Sequence, residues 1–154
     1  IPADKSIGYY VPKDLLILDD KYIAGDNVSV RLEVATMIES MFNDLKQAYP
    51  RTYKKVKVAR GYLSYQQLES LYQTTNDQIY KPAHSEYQLG LVIDLLLDDE
   101  ATFVESDMGQ WIMSNASKYG FIAFNDIDDH SKSYRYVGVA LAEQETEKDE
   151  SGNE

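Results

Sequence analysis

The sequence contains no cysteine, which excludes disulfides, thiolate metal sites and a cysteine nucleophile. Basic residues are also scarce: 15 Lys and Arg stand against 26 Asp and Glu, a net charge of −11 that argues against a non-specific nucleic-acid binder. No apolar run approaches the roughly 20 residues that cross a bilayer. The sequence starts at Ile1 without a Met or a basic leader, which leaves room for a signal or anchor segment upstream.

What is present fits one α+β domain, since the 154 residues are 44% hydrophobic and show both helical and strand periodicity. The periodicity predicts a helix over 31–48, a second helix that follows the turn at 61–65 and runs through about Gln73, and a third over 108–118. It predicts strands over 55–59, 91–97, 121–124 and 134–141. Residues 143–154 are acidic and poor in apolar side chains, which predicts a disordered tail after a domain spanning 1–142.

Asp94 is the residue that the local pattern does not explain, because it lies inside the apolar strand predicted over 91–97. Burying a carboxylate costs several kcal/mol unless it is paired, hydrogen-bonded or bound to a metal. Two interpretations therefore stay open: hydrogen bonds from the backbone or a tyrosine, or a metal held with further His, Asp or Glu ligands.

The two histidines do not by themselves indicate a metal site. His84 follows Pro82 in a predicted turn and is expected to be solvated. His130 ends the polar run 125–130, which lacks the glycine and terminal glutamate of a calcium-binding EF-hand loop. We predict a solvated loop there.

Three motifs occur in a fixed order along the chain. They are Gly61-Tyr62-Leu63-Ser64-Tyr65, Ser85-Glu86-Tyr87-Gln88-Leu89-Gly90-Leu91-Val92-Ile93-Asp94 and His130-Ser131-Lys132-Ser133-Tyr134-Arg135-Tyr136-Val137-Gly138. They resemble the Ser-Gly-Tyr-Arg-Ser-Tyr, Ser-x-His-x-x-Gly-x-Ala-x-Asp and Glu-x-Trp-His-Tyr-Arg-Tyr-Val-Gly motifs of VanY-type zinc D-alanyl-D-alanine carboxypeptidases. The resemblance implies a hedgehog/DD-peptidase fold, in which helices pack around a small, mostly antiparallel sheet.

The same resemblance implies that the chemical positions of the family are altered. The zinc-binding His, Asp and His correspond to Tyr87, Asp94 and Ser133. The general-base Glu corresponds to His130, and the substrate-binding Arg corresponds to Leu63. Only Asp94 is retained, so no catalytic residue and no zinc are expected. Tyr87 is predicted to hydrogen-bond Asp94 in place of the metal.

The resemblance thus favours an inactive binding domain at the bacterial cell surface, with peptidoglycan stem peptide or a cell-envelope protein as its partner. Its site would comprise six degenerate positions: Leu63, Ser85, Tyr87, Asp94, His130 and Ser133. One alternative is an active zinc carboxypeptidase whose ligands are rearranged to His84, Asp94 and His130 or an aspartate at 126, 128 or 129. The other alternative is a purely structural interaction module.

Overall fold

The computed structural model describes residues 1–152, and side chains through residue 147. Strands β1 (Leu15–Ile17) and β2 (Ser29–Arg31) form a small antiparallel pair. Four strands form the main sheet: β3 (Val56–Arg60), β4 (Val92–Leu97), β5 (Phe121–Asp128) and β6 (Ser131–Tyr136). The helices are α1 (Leu32–Ala48), α2 (Tyr65–Thr75), α3 (Asp107–Asn115) and α4 (Val139–Gly152). The main sheet is antiparallel in the order β3-β4-β6-β5, so the α+β class predicted from the sequence is confirmed.

The central strand β4 divides the molecule into two apolar clusters, because successive side chains of a strand point to opposite faces. Ile93, Leu95 and Leu97 join the main core, to which α1 contributes the buried residues that recur at helical spacing. Val92 instead belongs to a smaller cluster with residues from α2 and the segment after it. Asp94 shares the parity of Val92 and therefore lies on the face of the smaller cluster.

The β5–β6 hairpin differs from the sequence prediction at both ends. β5 continues to Asp128, through most of the 125–130 run that was predicted to be a solvated loop. Residues 126–128, at the end of β5, remain exposed, because backbone pairing with β6 does not need apolar side chains. The last strand ends at Tyr136, not near Leu141, since Gly138 takes a φ of +89° that no strand adopts.

The acidic segment after residue 142 is helical through Gly152 where disorder was predicted. Ala142 is fully buried, and Thr146 Oγ1 donates a hydrogen bond to its carbonyl at 3.0 Å. α4 also packs against the 3₁₀ turn Ala116–Tyr119 and β5. Composition missed this anchor because it consists of one small side chain in a polar segment. Residues 153 and 154 lie outside the described part, and the domain boundary at 142 stays a prediction.

None of the helices in the described residues is long and apolar enough to cross a membrane.

Candidate functional site

Strand register places three polar side chains in one row across the main sheet. Asp94 on β4 is paired with Ser133 on β6 and with Arg60 on β3. Directly paired residues of antiparallel strands project to the same face, with their Cβ atoms about 5 Å apart. The carboxylate is therefore flanked by a hydroxyl on one side and a guanidinium on the other.

A β-bulge in β3 brings Arg60 into this row. Val58 pairs with Leu95 and Arg60 pairs with Asp94, so two steps along β3 match one step along β4. The extra residue reverses the parity of the strand beyond it, which turns Arg60 away from the main-core face occupied by Val58. Arg60 Nη1 lies 3.9 Å from Asp94 Oδ2 and donates a 3.0 Å hydrogen bond to the Tyr80 hydroxyl.

Tyr87 reaches the row from a short 3₁₀ turn, Glu86–Leu89. Ser85 caps this turn, since its Oγ accepts a hydrogen bond from the Tyr87 backbone N–H at 3.2 Å and donates one to the Ile79 carbonyl. The turn ends at Gly90, whose φ of +73° favours glycine and whose added Cβ would lie 2.9 Å from a side-chain carbon of Arg31. Ser85 and Gly90 therefore fix the direction in which the Tyr87 ring enters the smaller apolar cluster.

Tyr87, Asp94 and Ser133 form what we call the Asp94 cluster. Asp94 Oδ1 accepts hydrogen bonds from the Tyr87 hydroxyl and from Ser133 Oγ, both at 2.6 Å. The two hydroxyl oxygens lie 3.0 Å apart. Tyr87 and Ser133 are 0% exposed and Asp94 is 3% exposed, so the carboxylate is buried, and both hydrogen bonds to its Oδ1 come from side chains. The hydrogen bond expected between Tyr87 and Asp94 is present.

Burial governs the electrostatics of the cluster. It raises the pKa of Asp94, while hydrogen bonds from Ser133 and Tyr87 and the charge of Arg60 oppose that rise. Burial also raises the pKa of Tyr87 well above its ordinary value, and the neighbouring Asp94 charge adds to the effect. The Tyr87 phenol therefore keeps its proton at neutral pH and acts as a donor to the carboxylate.

The Asp94 cluster does not fit a zinc site. Protein zinc sites use Cys, His, Asp or Glu ligands, and a catalytic site needs three of them. The cluster offers one carboxylate, a protonated phenol and an alcohol. Across residues 1–147, moreover, no three His, Asp or Glu side chains come together in a way that could hold a metal ion.

Of the other predicted site positions, Leu63 lies beside the Asp94 cluster and His130 lies away from it. Leu63 packs in the smaller apolar cluster, and its backbone N–H donates to the Tyr87 carbonyl at 3.2 Å. His130 lies in the β5–β6 turn, where its carbonyl accepts a hydrogen bond from the Leu97 N–H. Leu97 is three residues from Asp94, about 10 Å along the strand. The structure therefore brings Leu63 to the cluster and leaves His130 away from it.

The rearranged ligand set is not assembled either. His84 Nδ1 lies 3.2 Å from the Pro2 carbonyl, in contact with the N-terminal segment. Asp126 forms an ion pair with Lys132 at 3.0 Å on the exposed hairpin. These contacts engage both groups at places other than the Asp94 cluster.

Sequence reasoning missed Arg60 and Tyr80 as members of the site. Arg60 directly precedes Gly61 of the first motif, which is the signal that could have drawn attention to it. Its orientation depends on the bulge, however, and a bulge leaves no mark in hydrophobic periodicity. Tyr80 stacks at a ring-centroid distance of 5.6 Å from Tyr87 and is therefore part of the wall around the cluster.

Comparison with known proteins gives a consistent result. The putative carboxypeptidase YodJ of Bacillus subtilis (strain 168) is 27% identical, with 75% of this chain and 47% of YodJ covered, so the chain spans about half the length of this curated relative. A crystal structure of the vancomycin-resistance D,D-dipeptidase VanXYg, in complex with a D-Ala-D-Ala phosphinate analogue, matches with a TM-score of 0.64 at 20% identity, over 88% of this chain and 66% of that one. A mutant of the vancomycin-resistance D,D-pentapeptidase VanY in complex with Zn(II) matches with a TM-score of 0.58 at 21% identity, over 94% and 86% of the two chains.

The family model described as VanY, D-alanyl-D-alanine carboxypeptidase, matches residues 27–138, which include the Asp94 cluster and the whole main sheet. That match covers well over half of the chain. The order of the three motifs, the fold and this match agree, and the chain belongs to the VanY family of D-alanyl-D-alanine carboxypeptidases.

Proposed function

We propose that this chain is a catalytically inactive VanY-family domain that binds peptidoglycan stem peptide at the bacterial cell envelope without a metal. The observation that carries the proposal is the Asp94 cluster, in which Tyr87 and Ser133 stand at the family's two histidine positions and use their hydroxyls to satisfy the remaining carboxylate. A zinc ion lowers the pKa of its bound water and polarises a carbonyl. The donor set of this chain supports neither step.

Arg60 supports a peptide with a free carboxyl terminus as the ligand. Its side chain is 33% exposed and lies 3.9 Å from the buried carboxylate of Asp94, so it is accessible to a ligand beside the cluster. A guanidinium carries five N–H donors, and the Tyr80 hydroxyl takes one of them. The remaining donors suit a planar carboxylate, the recognition that Leu63 cannot provide at the family's arginine position.

The first experiment measures metal content and activity together. After incubation with zinc and dialysis, we expect far less than one zinc per chain and no release of D-alanine from a stem pentapeptide. Replacing Tyr87 and Ser133 together by histidine should restore three ligands around Asp94 and give stoichiometric zinc. A matched control replaces Tyr9 and Ser114, both at exposed positions, by histidine. Stoichiometric zinc in the unmodified protein, lost on Asp94→Ala, would overturn the proposal.

The second experiment tests the ligand. NMR titration with a stem pentapeptide should shift backbone amide signals near Arg60, and Arg60→Gln should weaken binding about tenfold, as expected for the loss of a charge-assisted pair. Arg51→Gln, at an exposed position after α1, is the charge-matched control. If the protein binds a cell-envelope protein but no stem peptide, the peptide assignment fails. If it binds neither, the purely structural alternative is favoured.

A further inference from the structure

A pocket lies beside the start of β3, lined by residues that no part of the proposed function uses. Four lysines surround it: Lys21, Lys46, Lys54 and Lys57. They come from the turn after β1, the end of α1, the 3₁₀ turn before β3, and β3 itself. The cavity has a volume of about 240 Å³.

The charge of this pocket is opposite to that of the chain. The whole sequence has a net charge of −11 and only 15 basic residues, four of which are gathered here. No Asp or Glu within the described residues lines the cavity. Like charges held together repel each other, and their field concentrates anions in a cleft. Such an arrangement is stabilised by a negatively charged occupant.

The contacts of the ammonium groups leave their charge uncompensated. Lys57 Nζ donates to the Lys21 carbonyl at 2.8 Å. Lys21 Nζ lies 5.1 Å from the centre of the Tyr22 ring, and Lys46 Nζ lies 5.6 Å from the centre of the Tyr53 ring. These partners are neutral, and in the part of the chain that the structure describes no carboxylate pairs with the lining lysines. The cation–π contacts hold the side chains over the pocket walls.

The chemistry of the lining selects a class of anion. All four cations are lysines, which bind phosphate as compact point charges, and no arginine lines the pocket to supply the planar fork that best fits a carboxylate. Phe42 and Val56 are buried, and with the rings of Tyr22 and Tyr53 they give the pocket apolar walls. We infer that this pocket binds a phosphate group, as a free phosphate ester or as a phosphodiester in a polymer.

The test is calorimetric titration of the full chain at low salt with three probes: glucose 1-phosphate, the diester glycerophosphoglycerol, and glucose. We expect one or both phosphates to bind and glucose not to bind. Binding of the ester alone assigns a free metabolite, and binding of the diester assigns a polymer. Glucose binding as tightly as its phosphate, or no phosphate binding up to about 10 mM, would overturn the inference.

Variants separate a specific pocket from general charge. Lys46→Gln with Lys54→Gln removes two exposed ammonium groups, and we expect the phosphate Kd to rise about tenfold. Lys5→Gln with Lys13→Gln makes the same charge change at exposed positions elsewhere and should change Kd less than about twofold. Equal weakening by both pairs would show non-specific attraction and contradict the site. Loss of stem-peptide binding at Arg60 would leave this result unchanged.

Discussion

The carboxylate of Asp94 stands at a metal-binding position of the motif that the sequence resembles, and here it is held by hydroxyl groups. Its two hydroxyl donors lie at 2.6 Å, and its second oxygen faces Arg60 at 3.9 Å. A buried acceptor that keeps its donors avoids a cost of about 1–3 kcal/mol per missing bond. Loss of the Tyr87 or the Ser133 hydroxyl is therefore expected to destabilise the fold by about that amount.

Asp94 should also give the protein a specific pH dependence. Its folded pKa lies above the ordinary value near 3.8 because the carboxylate is buried. At a pH between the unfolded pKa and the higher folded pKa, Asp94 is protonated in the native state and ionised in the unfolded chain. The free energy of unfolding that Asp94 contributes therefore falls as the pH rises. We expect the wild-type protein to lose unfolding free energy relative to Asp94→Asn as the pH is raised above about 4.

Urea unfolding of both proteins at pH 4, 5, 6 and 7 measures this difference directly. Asp26→Asn, at an exposed position, is the control and should give a difference that changes little with pH. A wild-type protein that gains stability over Asp94→Asn with rising pH would mean that the hydrogen bonds and Arg60 outweigh burial.

Among the secondary-structure elements, α4 shows how little apolar surface can hold a helix in place. Ala142 is 0% exposed, whereas Ala140, two residues earlier in the same helix, is exposed. We expect Ala142→Gln to lower the free energy of unfolding by about 1–3 kcal/mol through overpacking, and Ala140→Gln to change it by less than about 0.5 kcal/mol. Urea unfolding of the two variants is the measurement. Equal effects would show that α4 does not pack as described.

The elements that could be predicted from the sequence are those in which a regular pattern of apolar residues extends over many positions. The helix predicted over 31–48 and the strand over 91–97 both form nearly as expected, because each buries a regular set of apolar side chains. The prediction that the last strand runs to about Leu141 was wrong, because Gly138 at positive φ ends it. The prediction of a disordered tail was also wrong, because a single buried alanine, Ala142, holds the helix there. At the site, motif order predicted Tyr87, Asp94 and Ser133, which lie together in the structure, but not Arg60, whose orientation depends on a backbone irregularity.

The charge of the complete chain predicts a response to salt. At −11 the folded molecule repels itself, and an ionic strength near 0.2 M screens charges beyond about 7 Å. We expect the Tm to rise by about 2–4 °C between 10 and 200 mM NaCl, which corresponds to about 1 kcal/mol for a chain of this size. Calorimetry in the two buffers measures it. The rise should vanish at an acidic pH where the net charge approaches zero, and a fall in Tm at neutral pH would contradict the explanation.

The bulge between Val58 and Arg60 has a consequence for how relatives of this chain are compared. A single extra residue in an edge strand decides whether a side chain faces the apolar core or the row formed by Arg60, Asp94 and Ser133. It does so without changing any residue of the three motifs. An insertion or deletion at Ala59 would exchange the two faces for the rest of the strand. Homologues aligned by identity alone could therefore carry an arginine in the same column and yet present no guanidinium to their carboxylate. Function in this family should be transferred by strand pairing as well as by motif.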